Sequence, residues 1–243
     1  MDLANRTVLV TGGAKRIGQA IALAMAHRGA YVVISYRTSS RDAQHTVSLL
    51  KRYGAEALAV RADVSNEADV KRLMVQIQRR FGRLDVVINS AANFDRVPFA
   101  QLTQDDWQHA LQANLTGPFL CALHASRLMQ KTGGVIINFA DWAAIRPYKD
   151  YLPYCVSKAG IIGLTKALAK ELAPKIRVMA IAPGPILAPA DMSAAAKARV
   201  ARRVPLKRWG QPKDIVNTVL FLIEGTDFMT GSTVFVDGGQ LIA

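Results

Sequence analysis

Short apolar runs alternate with longer amphipathic segments along most of the 243 residues. The apolar runs are rich in Val and Ile, which is typical of strands covered on both faces of a sheet. They fall at 7–10, 31–35, 55–61, 86–89, 134–139, 177–181 and 232–236, and helical patterns lie between them at 18–28, 67–81, 154–172 and 212–222. This alternation predicts right-handed βαβ units. We therefore expect an α/β fold with one doubly wound domain over residues 1–243 and a seven-stranded parallel sheet.

One stretch, 183–204, breaks this rhythm. It is rich in Pro, Ala and Arg and carries no clear strand pattern. Loops at this edge of a sheet often cover a binding site. We predict that it forms a mobile flap over the site.

Composition excludes several classes of protein. Hydrophobic residues make up 51% and charged residues 20%, which is an ordinary globular balance. No run reaches 18 apolar residues, and residues 1–6 lack the pattern of a secretory signal. The two cysteines, Cys121 and Cys155, form neither a disulfide framework nor a metal-ligand cluster. We expect a cytoplasmic protein with no membrane partner and no metal.

The net charge of +13 raises the question of an anionic partner. The charges are spread through amphipathic helices, with two concentrations at 79–83 and 197–208. A solvated surface is the simpler interpretation, and a polyanionic cofactor or an acidic substrate is another. The sequence contains no recognisable nucleic-acid motif, so we do not expect a nucleic-acid partner.

A glycine-rich turn follows the first strand and precedes a helix. It runs from Thr11 to Gly18 and includes Gly12, Lys15, Arg16 and Ile17. Such a turn lets the backbone approach a pyrophosphate, and the helix N-terminus adds unpaired N–H groups and a favourable dipole. The turn resembles the Thr-Gly-x-x-x-Gly-x-Gly motif of short-chain dehydrogenases, with Arg16 at the family's middle glycine. The resemblance extends over essentially the whole chain and implies a Rossmann-type fold.

The residues after the second strand bear on the choice of cofactor. Enzymes of this architecture that use NAD place an acid there, whereas this chain has Tyr36, Arg37, Thr38 and Ser39. A cation and hydroxyls suit a 2′-phosphate, so we predict NADPH. The resemblance implies further cofactor contacts at Asp63, Val64, Asn89, Ala91, Pro183, Gly184 and Ile186.

Tyr154 and Lys158 form a Tyr-x-x-x-Lys pattern at the start of a helix. Residues four apart share a helix face, so the ammonium should lie near the phenol, lower its pKa and make it a proton donor. The family resemblance implies that both also bind the cofactor. It further implies that Asn114 holds a proton-relay water.

Thirteen residues before Tyr154, most family members have serine and this chain has Asp141. Together with Arg16 and Phe94, Asp141 resembles the pattern of pteridine reductases, in which these residues and Tyr154 contact the substrate. Asp141 could instead cap a local turn, and Phe94 could be plain core. Trp142 and Tyr148 are expected near the pocket, whereas Trp107, Trp209 and Cys155 are interpreted as packing residues.

These features predict an NADPH-dependent reductase of a pterin-like C=N bond, with Asp141 orienting or protonating the ring. The enzyme alternative is reduction of a ketone or a 3-oxoacyl thioester. The non-enzymatic alternative is an NADPH-binding sensor scaffold. The resemblance also implies a homotetramer assembled through segments 101–129 and 154–172.

Overall fold

The seven apolar runs form one sheet in which every strand is parallel to its neighbours. The computed structural model describes residues 1–189 and 192–243. The strand order is β3-β2-β1-β4-β5-β6-β7, which confirms the predicted fold class. The strands are β1 (Thr7–Thr11), β2 (Tyr31–Tyr36), β3 (Ala57–Arg61), β4 (Val86–Asn89), β5 (Gly134–Phe139), β6 (Ile176–Pro183) and β7 (Thr233–Val236).

Eight α-helices connect and cover these strands in the described part of the chain. They are α1 (Arg16–His27), α2 (Ser40–Arg52), α3 (Glu67–Phe81), α4 (Gln104–Leu111), α5 (Gly117–Met129), α6 (Leu152–Leu172), α7 (Ala194–Arg203) and α8 (Pro212–Leu220). Two helices begin two residues earlier than predicted, α1 at Arg16 and α6 at Leu152. Proline near the start of α6 and of α8 suits a first helical turn, where its missing N–H is not needed.

Side chains alternate between the two faces of the sheet. Val8 and Val10 pack on the side of α1 and α8, while Leu9 and Val87 pack on the side of α3 and α5, and all four are fully buried. Burial on both faces explains why these strands are continuous apolar runs. None of the helices in the described residues combines the length and apolar character needed to cross a bilayer.

The strand order reverses at β1, which lies between β2 and β4. At such a switch point the connections leave in opposite directions and open a crevice beyond the carboxyl ends of the strands. The glycine-rich turn follows β1 directly, so the fold places it in this crevice.

Candidate active site

A cavity of about 940 Å³ lies at the carboxyl edge of the sheet. Most of the residues predicted from the sequence border it. They are Gly12, Lys15, Arg16, Ile17, Gly18, Tyr36, Arg37, Thr38, Ser39, Asp63, Val64, Ala91, Phe94, Asp141, Tyr154, Lys158, Pro183, Gly184 and Ile186. Two predicted residues, Asn89 and Asn114, do not line this cavity.

The glycine-rich turn packs tightly against the loop after β4. Gly12 has φ +64°, and a Cβ there would lie 2.9 Å from the Ala91 Cα. The Thr11 hydroxyl accepts hydrogen bonds from the backbone N–H groups of Ser90 (3.0 Å) and Ala91 (3.1 Å). The turn therefore needs glycine for the approach of neighbouring backbone as well as for any ligand.

Arg16 adopts φ +56°, the left-handed conformation that a glycine would take. This conformation costs a residue with a Cβ about 1–2 kcal/mol. Its guanidinium donates a hydrogen bond to the Leu187 carbonyl oxygen at 3.2 Å. Arg16 thus connects the turn to the loop after β6.

The end of β2 presents cationic and hydroxyl groups to the cavity. Arg37 lies 3.9 Å from the Asp63 carboxylate, and Thr38 and Ser39 follow it along the lining. The Ser35 hydroxyl also borders this end and has no hydrogen-bond partner among the described residues. This corner can accept an anionic group with several oxygen acceptors.

Asp141 receives hydrogen bonds from three groups. The Tyr154 hydroxyl donates to Oδ2 at 2.7 Å, the Ala143 N–H to Oδ1 at 2.8 Å and the Tyr148 hydroxyl to Oδ1 at 3.3 Å. Asp141 therefore caps a single helical turn, Trp142–Ala144, and also contacts Tyr154 at the cavity. Burial raises the pKa of its carboxyl above the ordinary value, against the lowering effect of these bonds and of Lys158.

Tyr154 does not have the lowered pKa that its spacing from Lys158 predicted. Burial, and then the charge of Asp141, raise the pKa of the Tyr154 phenol well above its ordinary value. The Lys158 ammonium donates to the Phe139 carbonyl oxygen at 2.7 Å and lies 5.6 Å from the centre of the Tyr154 ring. Burial lowers the pKa of Lys158 to about 8. Loss of solvation on burial therefore has a larger effect on both pKa values than the Tyr154–Lys158 attraction that the spacing suggested.

The two predicted asparagines have structural surroundings. Asn114 lies in a π-helical turn, Gln112–Thr116, where its Nδ2 donates to the Asn93 Oδ1 (2.9 Å) and its Oδ1 accepts from the Asn93 N–H (2.9 Å). Asn89 is buried and donates to the Asn138 Oδ1 at 2.9 Å. Both residues hold the loop and strands around the cavity instead of facing it.

Aromatic rings form one wall of the cavity. Phe94 is 51% exposed, stacks on Tyr151 with ring centres 4.4 Å apart and meets Tyr154 edge-on at 4.7 Å. Phe94 is therefore not plain core. Trp142 and Tyr148 join this wall, as expected, with ring centres 5.3 Å apart. A flat, partly unsaturated or aromatic group fits such a surface.

Comparison with known proteins identifies the family. Residues 12–240 match the family model described as Enoyl-(Acyl carrier protein) reductase, a short-chain dehydrogenase model. The chain belongs to the short-chain dehydrogenase/reductase family. The chain is 38% identical to a 3-oxoacyl-[acyl-carrier-protein] reductase from Synechocystis, over 99% of this chain and 98% of that protein. A protein of the same name from Staphylococcus aureus is 34% identical, over 97% and 98%.

A solved structure agrees. The short-chain type dehydrogenase/reductase from Mycobacterium marinum superposes with a TM-score of 0.92 and 33% identity, covering 98% of this chain and 96% of that one. Membership of this family makes the protein an oxidoreductase. It does not assign the chain to the pteridine reductase branch, which stays a hypothesis.

Sequence reasoning missed part of the lining of the cavity. Several described residues of the stretch 183–204 border the cavity, and the stretch contains α7. Residues 190 and 191 lie outside the described part of the chain, and the mobile flap stays a prediction. Trp209, interpreted as packing, also borders the cavity. The other lining residues missed include Met192, Val200, Arg203 and Gln240. They come from two distant segments, and no local motif marks them.

Proposed function

We propose that the chain is an NADPH-dependent reductase of a carbonyl group, with 3-oxoacyl thioesters as its substrate class. The observation that carries the proposal is the Tyr154–Lys158 pair at the cavity of a chain that matches 3-oxoacyl-[acyl-carrier-protein] reductases over nearly its full length. Reduction of a carbonyl needs a proton donor and a group that stabilises negative charge on the oxygen. The Tyr154 hydroxyl can donate the proton, and the positively charged Lys158 can stabilise the charge.

The residues present fit a phosphorylated dinucleotide. Gly12 and Gly18 leave no room for a side chain, since a Cβ on Gly18 would lie 2.5 Å from the Gly12 carbonyl oxygen. The backbone at the start of α1 can therefore face a pyrophosphate. Arg37, Thr38 and Ser39 would hold a 2′-phosphate, which favours NADPH over NADH. Bound there, NADPH supplies a hydride.

The protein's own residues would handle the proton and the developing charge. The raised pKa of Tyr154 keeps its phenol protonated at neutral pH, so it can donate to the carbonyl oxygen. Lys158, with a pKa of about 8, is mainly charged at pH 7 and stabilises the oxyanion and the phenolate. Asp141 adds a second donor only in its neutral form.

A pterin-like ring is the second candidate substrate, and Asp141 is the observation that favours it. A buried carboxyl with a raised pKa can protonate a ring nitrogen. The wall of Phe94 and Tyr151 would stack on a flat heterocycle. In this reaction the hydride reduces a ring C=N bond, and Arg16, Phe94, Asp141 and Tyr154 contact the substrate.

The test is a turnover screen with NADPH. Acetoacetyl thioesters and several dihydropteridines are compared by kcat/KM, with Tyr154→Phe as the matched control that removes only the hydroxyl. We expect thioester reduction that the control loses by at least about 10²-fold. Turnover of dihydropteridines alone would transfer the assignment to the second candidate. Turnover of neither, with NADPH bound, would contradict both.

A further inference from the structure

One side chain beside the reactive groups has no part in the proposed reduction. Tyr148 lines the cavity, and its hydroxyl donates a hydrogen bond to the Asp141 Oδ1 at 3.3 Å. It lies on the loop 145–151, which joins the single helical turn Trp142–Ala144 to α6. Neither the expected cofactor contacts nor the proposed proton transfer uses this hydroxyl.

The surroundings of Tyr148 fix the position of its hydroxyl. Its backbone N–H donates to the Cys155 Sγ at 3.4 Å, and its ring meets Trp142 edge-on with ring centres 5.3 Å apart. The loop is also held from outside, where the Asp150 carbonyl oxygen accepts from the Val97 N–H at 2.8 Å. A side chain that is already confined loses little further freedom when it makes a hydrogen bond. Tyr148 therefore presents its hydroxyl with a small loss of entropy.

The two carboxyl oxygens of Asp141 have different partners. Oδ1 accepts from the Ala143 N–H and from the Tyr148 hydroxyl, whereas Oδ2 accepts from the Tyr154 hydroxyl. A backbone N–H can donate but cannot accept, so a proton on Oδ1 would have no acceptor in Ala143. When Asp141 is neutral, we therefore expect its proton on Oδ2. This oxygen is the one next to Tyr154 and to any substrate that Tyr154 contacts.

The same hydroxyl stabilises the ionised form of Asp141. Donation to a carboxylate favours its charged state, so the bond from Tyr148 lowers the Asp141 pKa against the larger effect of burial. Its length of 3.3 Å exceeds the usual range for an O–H···O bond, so this contribution is smaller than that of a short bond. Burial raises the pKa of the Tyr148 phenol well above its ordinary value, so the hydroxyl remains a donor throughout the working pH range.

The other titratable groups beside Asp141 in the described residues all come from α6. Tyr154 and Lys158 lower the pKa of Asp141. Burial raises the pKa of the third group, the Cys155 thiol, which is therefore uncharged near neutral pH. A change at Tyr148 thus removes one partner of Asp141 and leaves the groups on α6 in place.

We propose that Tyr148 is a positioning residue, which holds the Asp141 Oδ1 so that Oδ2 presents the carboxyl proton to the substrate. The kinetic consequence rests on the proposed function, in which neutral Asp141 is the second donor to a carbonyl oxygen. Because the bond from Tyr148 also favours the ionised carboxylate, it limits the pH range in which that donor exists. Loss of the hydroxyl should therefore widen this pH range and weaken the orientation of the carboxyl group.

The test variant is Y148F, which removes the hydroxyl and keeps the ring. The matched control is Y151F, which removes the hydroxyl of another tyrosine of the aromatic wall. Among the described residues, Tyr151 is not one of the hydrogen-bond partners of Asp141.

Two measurements are made on each protein. The first follows Asp141 directly, by an NMR titration of aspartate labelled with ¹³C at the carboxyl carbon, in which the Asp141 signal is identified by its absence in D141S. The second is kcat and KM for the acetoacetyl thioester of N-acetylcysteamine with NADPH, over the pH range of that titration. The NMR titration requires no turnover, so it tests the contact independently of the reaction.

In Y148F the Asp141 titration should move about half to one pH unit higher, because one donor to the ionised carboxylate is lost. Relative to its own low-pH plateau, thioester reduction above both midpoints should then be about three- to tenfold greater than in wild type. On the plateau, where Asp141 is neutral in both proteins, kcat should be about two- to tenfold lower with KM nearly unchanged, since Oδ2 is less well oriented. Y151F should keep the wild-type titration of Asp141.

Three results would overturn the proposal. They are an Asp141 titration in Y148F that coincides with that of wild type, an equal displacement in Y151F, and a plateau kcat in Y148F that equals that of wild type. If the titration moves as expected but no protein reduces the thioester while NADPH binds, the proposed function fails and the contact between Tyr148 and Asp141 is supported. The kinetic comparison then passes to a dihydropteridine, for which the same loss of plateau kcat is expected.

Discussion

Replacing Asp141 with serine separates the two candidate reactions. In wild type the Tyr154 hydroxyl donates to the Asp141 Oδ2 at 2.7 Å, so this bond must break before Tyr154 can donate to a substrate oxygen. A hydrogen bond to a charged group contributes about 1.5–3 kcal/mol. Serine removes that bond and can itself donate to a carbonyl oxygen at any pH. We therefore expect D141S to raise kcat/KM for an acetoacetyl thioester about 10- to 150-fold wherever Asp141 is ionised.

The difference between wild type and D141S in thioester reduction should depend on pH. Burial raises the pKa of Asp141, so its neutral form persists to higher pH than in an ordinary aspartate. Thioester reduction by wild type should fall as pH rises through this pKa, since the ionised carboxylate retains the Tyr154 proton and repels the oxyanion. D141S should lack that fall. Dihydropteridine turnover should instead fall about 10²-fold in D141S, because the variant lacks the general acid.

The assay is kcat/KM for both substrates between pH 5 and 9, with NADPH affinity measured alongside. NADPH binding should be nearly unchanged, because the predicted phosphate contacts lie elsewhere in the cavity. If D141S lowers thioester turnover at every pH and keeps the wild-type profile, then the reasoning about the shared Tyr154 proton is wrong. If it handles dihydropteridines as wild type does, Asp141 is only a cap.

Three other predictions follow from the same structure. NADPH should bind at least about tenfold tighter than NADH because Arg37, Thr38 and Ser39 replace an acid, and titrations with equal affinities would refute this. K158M should abolish reduction without lowering the melting temperature at pH 7, because it removes a buried charge. Wild type should gain stability from about pH 8, the pKa of Lys158, toward the ordinary lysine value, and melts should show no such gain in K158M. Phe119 and Val156, exposed on α5 and α6, should lie in the interfaces of a homotetramer, and light scattering that shows a monomer at micromolar concentration would contradict it.

The strands were predictable because both faces of the sheet are covered. That burial selects unbroken Val and Ile runs such as 86–89, which the sequence displays directly. The helix α7 was missed because its many arginines face solvent and its flanking prolines suggest a loop. Its available signal was Ser193, whose hydroxyl accepts from the Ala196 N–H as an N-terminal cap.

The sequence predicts which residues line the candidate site better than it predicts the pKa values of those residues. Spacing places Tyr154 and Lys158 on one helix face, but it contains no information on desolvation, which sets their pKa values here. The partnership of Asn114 with Asn93 depends on a π-helical turn between α4 and α5. A local pattern in the sequence does not reveal that turn.

The two walls of the cavity offer different opportunities to a protein engineer. Tyr154 and Lys158 come from α6, and Asp141 lies two residues after β5. Phe94 follows Asn93, which is hydrogen-bonded to Asn114. The other wall, formed by lining residues within 184–189 and 192–209, supplies none of these proton-handling side chains. A mutant library confined to that wall would therefore alter which substrates enter while preserving the reactive groups. One wall of the cavity thus carries the reactive groups, and the other can be mutated to change substrate selectivity.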